Sequence, residues 1–228
     1  NEEEAAKSMA NRINTQAHTI RIEEAEWLSL GLECLQQQDE PVASSSAFAQ
    51  FAVYRSIAQA GFKVVIDGQG ADETLAGYER YYPWYWQELY RNRNLAKSQE
   101  PVFTQALGTN VSFDWKQKLA AFLPDLAAQQ RKREYQRSAI RNQELDQQFR
   151  TEQIKHLNHA LPEHTGLNGA LYFNTCTHGL EELLRYADRN AMRFGLEVRL
   201  PFLSHELVEF AFSLPAHFKI RQGWRKWN

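Results

Sequence analysis

Seven consecutive residues, Asp67-Gly68-Gln69-Gly70-Ala71-Asp72-Glu73, combine the residue types that anion and metal chemistry needs. They follow Phe62-Lys63-Val64-Val65-Ile66, a β-branched run of the kind buried in parallel sheets, and they open a helix. The two glycines therefore stand at the carboxyl end of a strand, where open α/β sheets bind ligands. Gly68 and Gly70 let backbone N–H groups approach an anion closely, and a helix N-terminus adds partial positive charge, so phosphate is the natural guest. Asp72 and Glu73 are poor phosphate contacts but good Mg²⁺ ligands, because a hard cation takes carboxylate oxygen and bridges to phosphates. The bare G-x-G pattern also serves as a tight strand-to-helix turn whose acids complement the helix dipole, so taken alone it admits both readings.

A second stretch, Leu183 to Leu203, sets Arg185, Asp188, Arg189, Glu197 and Arg199 among Leu, Met, Phe and Val. Buried charges are paired or very costly. The segment is thus either a salt-bridge network holding a helix and loop onto the sheet, or, for Glu197 above all, part of a reaction cavity. Other candidates are weaker. His156, His159 and His164 lack the carboxylate pattern of a zinc site, and no G-x-S-x-G motif or recognisably spaced Cys–His pair offers a hydrolase nucleophile.

The elements that must carry these residues alternate helix with short apolar strand over the first third. Ala6, Met9, Ala10, Ile13 and Ala17 recur at helical spacing, Thr19 to Ile22 is a strand candidate, and Trp27, Leu28, Leu32 and Leu35 mark a second helix broken at Asp39-Glu40-Pro41. Ser44 to Ser46 offer N-caps for a third helix, carrying Phe48, Phe51, Ala52 and Ile57, which Gly61 can close. The fold class this predicts is α/β in the N-terminal third, with an incomplete doubly wound parallel sheet, and mostly α-helical thereafter. Two strands rarely make a stable parallel sheet, so the sheet is expected to belong to something larger and the chain to be a fragment. From Tyr78 onward strands are expected to disappear. Residues 78 to 90 are crowded with aromatics, and 115 to 160 reads as helix, whose basic run Arg131-Lys132-Arg133 is interleaved with Glu134, Glu144 and Asp146 as on a solvated face. Gly166 and Gly169 separate this region from a final helical one over 170 to 194, and Pro201 and Pro215 bracket a last short helix. The expected organisation is 1–82 as part of an α/β domain, 83–177 as a helical region, and 178–228 as a further helical segment.

With 43% hydrophobic and 24% charged residues, the 228-residue chain has ordinary globular composition, which sets aside disordered and fibrous classes. Its 26 Lys+Arg against 28 Asp+Glu argue against a nucleic-acid partner or an anionic membrane surface, and no apolar run approaches the length of a membrane helix. Cys34 and Cys176 lie far apart and outside any C-x-x-C spacing, so a reducing, cytoplasmic setting is expected.

Together the two stretches resemble the signatures of the asparagine synthetase family. Asp67 to Glu73, followed by Gly77-Tyr78 and Arg80-Tyr81, is similar to that family's S-G-x-G-x-D-E-x-x-x-G-Y-x-R-Y block. Leu184 to Asn190, Met192, Glu197-Val198-Arg199, Pro201-Phe202-Leu203, Leu207 to Phe210 and Leu214-Pro215 resemble its second block, and Asp39-Glu40-Pro41 stands where the family has an acidic residue, Glu and Pro. The resemblance implies the ATP-pyrophosphatase-like synthetase domain of a glutamine-dependent amidotransferase. Such an enzyme activates aspartate with Mg²⁺-ATP as a β-aspartyl-adenylate, which ammonia, released from glutamine by an N-terminal glutaminase domain of the same parent chain, converts to the amide. A homodimer is compatible with it. By the same resemblance Asp67, Gly68 and Gly70 bind the nucleotide, Asp72 and Glu73 hold the metal, and Gln69, Asp72 and Glu197 are catalytic, Glu197 facing the cavity as in related β-lactam-forming synthetases.

Asp67 replaces the commoner Ser, Gln69 stands where some members carry an acid, and Leu75-Ala76 and Ser204 replace Phe-Gly and Asp. The family's S-G-G-x-D-S loop does not occur in these 228 residues, so this chain on its own is expected to be inactive. A related amide or β-lactam synthetase acting on another carboxylate, and a helical interaction domain that has kept the fold without catalysis, are the alternatives.

Overall fold

The computed structural model of the chain describes residues 3–141, 146–153, 162 and 165–227; Glu144, His156, His159 and His164 lie outside them. In chain order the elements begin with α1 (Glu3–Arg12), α2 (Glu24–Leu35), α3 (Ser46–Gln59), β1 (Val64–Ile66) and the single turn α4 (Ala71–Thr74). A helical stretch follows: α5 (Tyr82–Arg91), α6 (Leu95–Ser98), α7 (Glu100–Ala106), α8 (Trp115–Phe122), α9 (Pro124–Arg141), α10 (Gln147–Gln153), α11 (Gly166–Cys176) and α12 (Leu180–Arg193). Then come β2 (Glu197–Arg199), α13 (His205–Ser213), β3 (Ile220–Arg221) and β4 (Trp224–Arg225). The chain is thus α/β at its N-terminal third and mostly helical thereafter, although the α/β character of that third rests on β1 alone. The parallel partner of β1 comes from far along the sequence: Val64 pairs with Glu197, Val65 with Val198 and Ile66 with Arg199.

The chain divides into two compact units, one of residues up to Asp67 with Leu183–Arg199, the other of Gly68–Glu182 with the residues from Leu200 on. In the first, α2 and α3 enclose Leu30, Cys34, Phe51 and Ala52. A neighbouring cluster of Tyr54, Ala191 and Leu196 receives Val65 and Val198 from the two strands. Strand alternation sends the intervening residues the other way, so Val64 and Ile66 are exposed, at 56% and 77%, on the same face as Glu197 and Arg199. The α3 helix ends as the sequence predicts at Gly61, where the Gly61 and Phe62 N–H groups donate to the Ala58 and Ile57 carbonyls.

The arginines of α12 are paired rather than buried. Arg189 meets Asp39 at 2.9 Å and Arg185 meets Glu40, so the Asp39-Glu40 break after α2 is tied to this helix, while Asp188 is exposed. The polar residue that α12 does bury is Asn190: its Nδ2 donates to the Ala47 carbonyl at 2.9 Å and to Gln50, and its Oδ1 accepts from Gln38 at 2.7 Å. A buried amide with its groups satisfied in this way fixes the register of one helix against another segment.

In the second unit the aromatic run after Tyr78 is the core. Tyr81, Tyr82, Tyr85 and Trp86 are buried with Leu167, Ala170 and Leu171 of α11 and Ile220 of β3. Of the basic run, Lys132 and Arg133 are exposed as expected, but Arg131 is half-buried with its guanidinium 5.1 Å from the Trp84 ring centre, and burial lowers its pKa.

Four expectations are corrected. Thr19 to Ile22 is irregular, because among the described residues no strand lies beside it to complete its backbone hydrogen bonds; Ile22 packs against the α2–α3 core instead. Strands do not disappear after Tyr78: Glu197–Arg199 becomes β2 because β1 supplies its ladder, and β3 and β4 form an antiparallel hairpin. The first helix stops at Arg12, short of Ile13 and Ala17, with Asn14 in the left-handed region at φ 55°. Gly169 separates nothing, since it lies inside α11; Gly166, at φ 86°, is the first residue of that helix, whose start is held by Glu88 accepting the Leu167 N–H at 3.1 Å.

Candidate active site

The strand–turn–helix passage that the sequence singles out is present. Asp67 continues the β1–β2 ladder by one bond, its N–H donating to the Arg199 carbonyl at 2.9 Å, and its Oδ2 accepts the Tyr54 hydroxyl at 2.7 Å. Burial, and then that bond, raise the Tyr54 pKa, so Tyr54 stays a protonated donor and fixes the carboxylate. Gly68, the next residue, is exposed with open space around its Cα, and Gln69 is half-buried. Gly70 turns the chain at φ 91°, and a Cβ there would collide with Leu203, so this position needs glycine twice over. The helix it opens is only four residues long, with Thr74 Oγ1 returning to the Gly70 carbonyl at 2.8 Å. A one-turn helix has little macrodipole, so anion attraction here falls to individual N–H groups and side chains rather than to the helix.

The two acids of the turn separate at once. Glu73 is 1% exposed and its Oε1 accepts the Tyr78 hydroxyl at 2.7 Å; burial and Glu73 together raise the Tyr78 pKa, keeping the proton on the phenol. Asp72 faces outward, and its Oδ1 lies 2.7 Å from Lys226 Nζ, with the two side chains 35% and 45% exposed. Both rest on Gly77: a Cβ at that position would overlap Asp72 Oδ1 and Lys226 Cε. The Gly77 N–H also donates to the Asp72 carbonyl at 2.9 Å, closing the loop.

Lys226 is the residue that sequence reasoning missed. Its only signal is a pair of cations flanked by tryptophans in Trp224-Arg225-Lys226-Trp227, and nothing in the spacing ties either to Asp72. The hairpin of β3 and β4 makes that connection.

Glu197 opens β2 opposite Val64, about 10 Å along the strand from Asp67 at ~3.3 Å per residue. Its carboxylate is 56% exposed and pairs with Arg199. The idea that a costly burial singles Glu197 out is therefore corrected: its side chain is solvated, on the uncovered face of the strand pair.

Among the described residues no group of three or more His, Cys, Asp or Glu side chains could cage a metal ion. A single carboxylate is still a donor that Mg²⁺ can use, since this ion is commonly held by one or two carboxylates together with waters and the phosphates of a nucleotide; Asp72, partly exposed and ion-paired with Lys226, stands beside an exposed glycine turn. None of the described helices is long and apolar enough to cross a membrane.

No curated protein and no solved structure matches the chain. The asparagine synthase family model, by contrast, matches residues 1–228, and the chain belongs to that family of ATP-dependent amidation synthetases.

Proposed function

We propose that the chain is part of the synthetase domain of a glutamine-dependent asparagine synthetase-like enzyme, activating aspartate with Mg²⁺-ATP as a β-aspartyl-adenylate for amidation by ammonia. The observation that supports this reading best is the Asp72–Lys226 pair over Gly77, a metal-type carboxylate and a phosphate-type cation held side by side at the end of the glycine turn. In the first step the substrate carboxylate attacks the α-phosphorus of ATP and pyrophosphate leaves; in the second, ammonia attacks the activated carbonyl, AMP leaves and a proton is lost. Bound Mg²⁺ would supply charge neutralisation on the departing pyrophosphate.

The chain's own residues divide the remaining work. Asp72 would hold the metal, and Lys226, released from Asp72 as the metal takes that carboxylate, would neutralise pyrophosphate oxygen. Glu73 is the second metal candidate, and reaching the ion requires opening its bond to Tyr78. Asp67, Gly68 and Gly70 take the nucleotide, with Tyr54 holding the Asp67 carboxylate. Gln69 can orient a reacting group by hydrogen bonds but, as an amide, cannot accept the proton that ammonia loses. Glu197 is assigned to the amidation step because it is a solvated carboxylate able to do so.

Residues 1–82 would contribute to the ATP-pyrophosphatase-like domain, 83–177 its helical region and 178–228 the segment completing the site. An N-terminal glutaminase domain in the parent chain, a cytoplasmic location and a homodimer belong to the same reading. The test is ATP–pyrophosphate exchange by the full-length protein. Exchange that depends on aspartate supports the proposal, exchange that depends on another carboxylate redirects it to a related amide or β-lactam synthetase, and absence of Mg²⁺-ATP binding leaves a non-catalytic domain.

A further inference from the structure

Lys226 owes its place to a very short hairpin. The ladder of β3 and β4 has two residue pairs, Ile220 with Arg225 and Arg221 with Trp224, extended by a bond from the Trp227 N–H to the Lys219 carbonyl at 3.2 Å. The turn between them is Gln222-Gly223, with φ 51° and 75°, the backbone of a type I′ turn. Glycine accepts that conformation readily, but glutamine is a poor residue for its first position, where Asn, Asp or Gly is preferred. A two-stranded ribbon of this length is marginal by itself, so something outside the hairpin must hold it.

The holder is Glu100, the first residue of α7. It is 4% exposed, and its two carboxylate oxygens accept the two turn amides, Oε1 from Gln222 N–H at 2.8 Å and Oε2 from Gly223 N–H at 2.9 Å. The Thr104 hydroxyl donates to the Glu100 carbonyl at 2.9 Å, and the Tyr82 hydroxyl donates to the Gly223 carbonyl at 2.6 Å. Gly223 is pressed so closely onto α7 that a Cβ would stand 2.7 Å from Phe103 C and Thr104 N. The turn is thus seated on α7 by a charge-assisted pair of bonds, a tyrosine anchor and backbone contact, and Lys226 emerges three residues beyond it to meet Asp72.

We propose that Glu100 is a positioning residue for adenylation: it imposes the left-handed Gln222-Gly223 turn and through the hairpin delivers Lys226 to Asp72. This rests on the reading of Asp72 and Lys226 as part of the adenylation site, and it gives the helical region after Tyr82 a catalytic purpose beyond scaffold. With an amide in place of the carboxylate, one of the two turn N–H groups faces an NH2 group instead of an acceptor and the charge assistance is lost, so Gln222 loses its reason to stay in the left-handed region and the lysine is released from its fixed distance.

The experiment uses the full-length protein and four variants, Glu100→Gln, Glu100→Gln with Gln222→Asn, Tyr82→Phe and Lys226→Met, reading kcat and KM for substrate-dependent ATP–pyrophosphate exchange and amide hydrogen exchange over 220–227. Glu100→Gln is expected to lower kcat at least tenfold with KM for ATP changed less than threefold, and to speed hydrogen exchange in the hairpin. Gln222→Asn, which makes the turn favourable by itself, is expected to restore at least a third of the lost kcat and the protection with it. A merely structural role of Glu100 in α7 would not respond to a change in the turn. Should Glu100→Gln fail to fold, Tyr82→Phe removes the other anchor and carries the same expectation at about threefold. The proposal is overturned if exchange persists within twofold in Glu100→Gln while Lys226→Met abolishes it, or if the turn substitution restores protection without activity. Full exchange in Lys226→Met instead overturns the reading of the site, and the Glu100 proposal with it.

Discussion

The Asp72 carboxylate stands where a side chain of Gly77 would have to be. Five residues apart, the two are joined by the Gly77 N–H to the Asp72 carbonyl at 2.9 Å and by the absence of a Cβ that lets the carboxylate fold back over the loop toward Lys226. The Gly77 requirement here is one of space, since its φ is not among the positive ones. Gly77→Ala should therefore displace both Asp72 and Lys226. Substrate-dependent ATP–pyrophosphate exchange in the full-length protein is expected to fall at least tenfold, with a stability loss of about 1–3 kcal/mol from the forced shift; near-normal exchange would show that the pair is not needed in this geometry.

Asp72 and Glu73 should part company in mutants. The Asp72–Lys226 pair is half-exposed, so Asp72→Asn should change stability by no more than about 1 kcal/mol while lowering exchange about a hundredfold or more. Glu73→Gln keeps an oxygen for the Tyr78 hydroxyl and should retain exchange within about tenfold. Glu73→Ala leaves that half-buried hydroxyl without its acceptor and should cost about 1 kcal/mol or more in denaturant titration. A greater loss of exchange in Glu73→Gln than in Asp72→Asn would reverse the assignment.

Glu197 offers a clean separation of chemistry from stability. Because its ion pair with Arg199 is solvated, Glu197→Gln should shift the melting temperature little, by an amount worth under about 1 kcal/mol. Amide formation is expected to fall at least tenfold while ATP–pyrophosphate exchange persists, since the residue is assigned to the second step. Unchanged amide formation would leave Glu197 a surface ion-pair partner.

Lys219 predicts a pH dependence of stability. It is fully buried, its Nζ donates to Asn168 Oδ1 at 2.6 Å and lies 5.1 Å from the Phe212 ring centre, and burial lowers its pKa from the ordinary 10.5 to about 8, with Glu88 opposing. The charged form is disfavoured in the folded state. Below about pH 8 both states are protonated and the penalty is full; between about 8 and 10.5 the unfolded state holds more protons, so stability rises with pH; above that the penalty is gone. The slope in that window is at most about 1.4 kcal/mol per pH unit. Urea titrations from pH 7 to 11 should show this rise in the parent protein, and the difference curve against Lys219→Met should contain it. A flat difference curve would mean that the buried ammonium is compensated.

Local order in this protein is written locally. The β-branched run 64–66 before Asp67, the glycine turn, the end of α3 at Gly61, and the helix between Pro201 and Pro215 are all legible because backbone preference and periodicity act over a few residues, whereas the serine N-cap expected for α3 is not made, Ser45 forming no side-chain cap bond. The family signatures are legible for the same reason: each is a contiguous block. What distance along the chain brings together is not. The strand at Glu197–Arg199 exists because β1 offers it a ladder, and Thr19–Ile22, with equally suitable residues, stays irregular because none of the described residues does. The burial of Glu73 and the exposure of Asp72, adjacent acids with the same local propensity, follow from Tyr78 on one side and Lys226 on the other. Lys226 itself reaches Asp72 through a hairpin seated on Glu100, a residue whose type and spacing carry no mark of its task. A strand, an ion pair and a buried carboxylate each need a partner, and only the tertiary structure decides who that partner is.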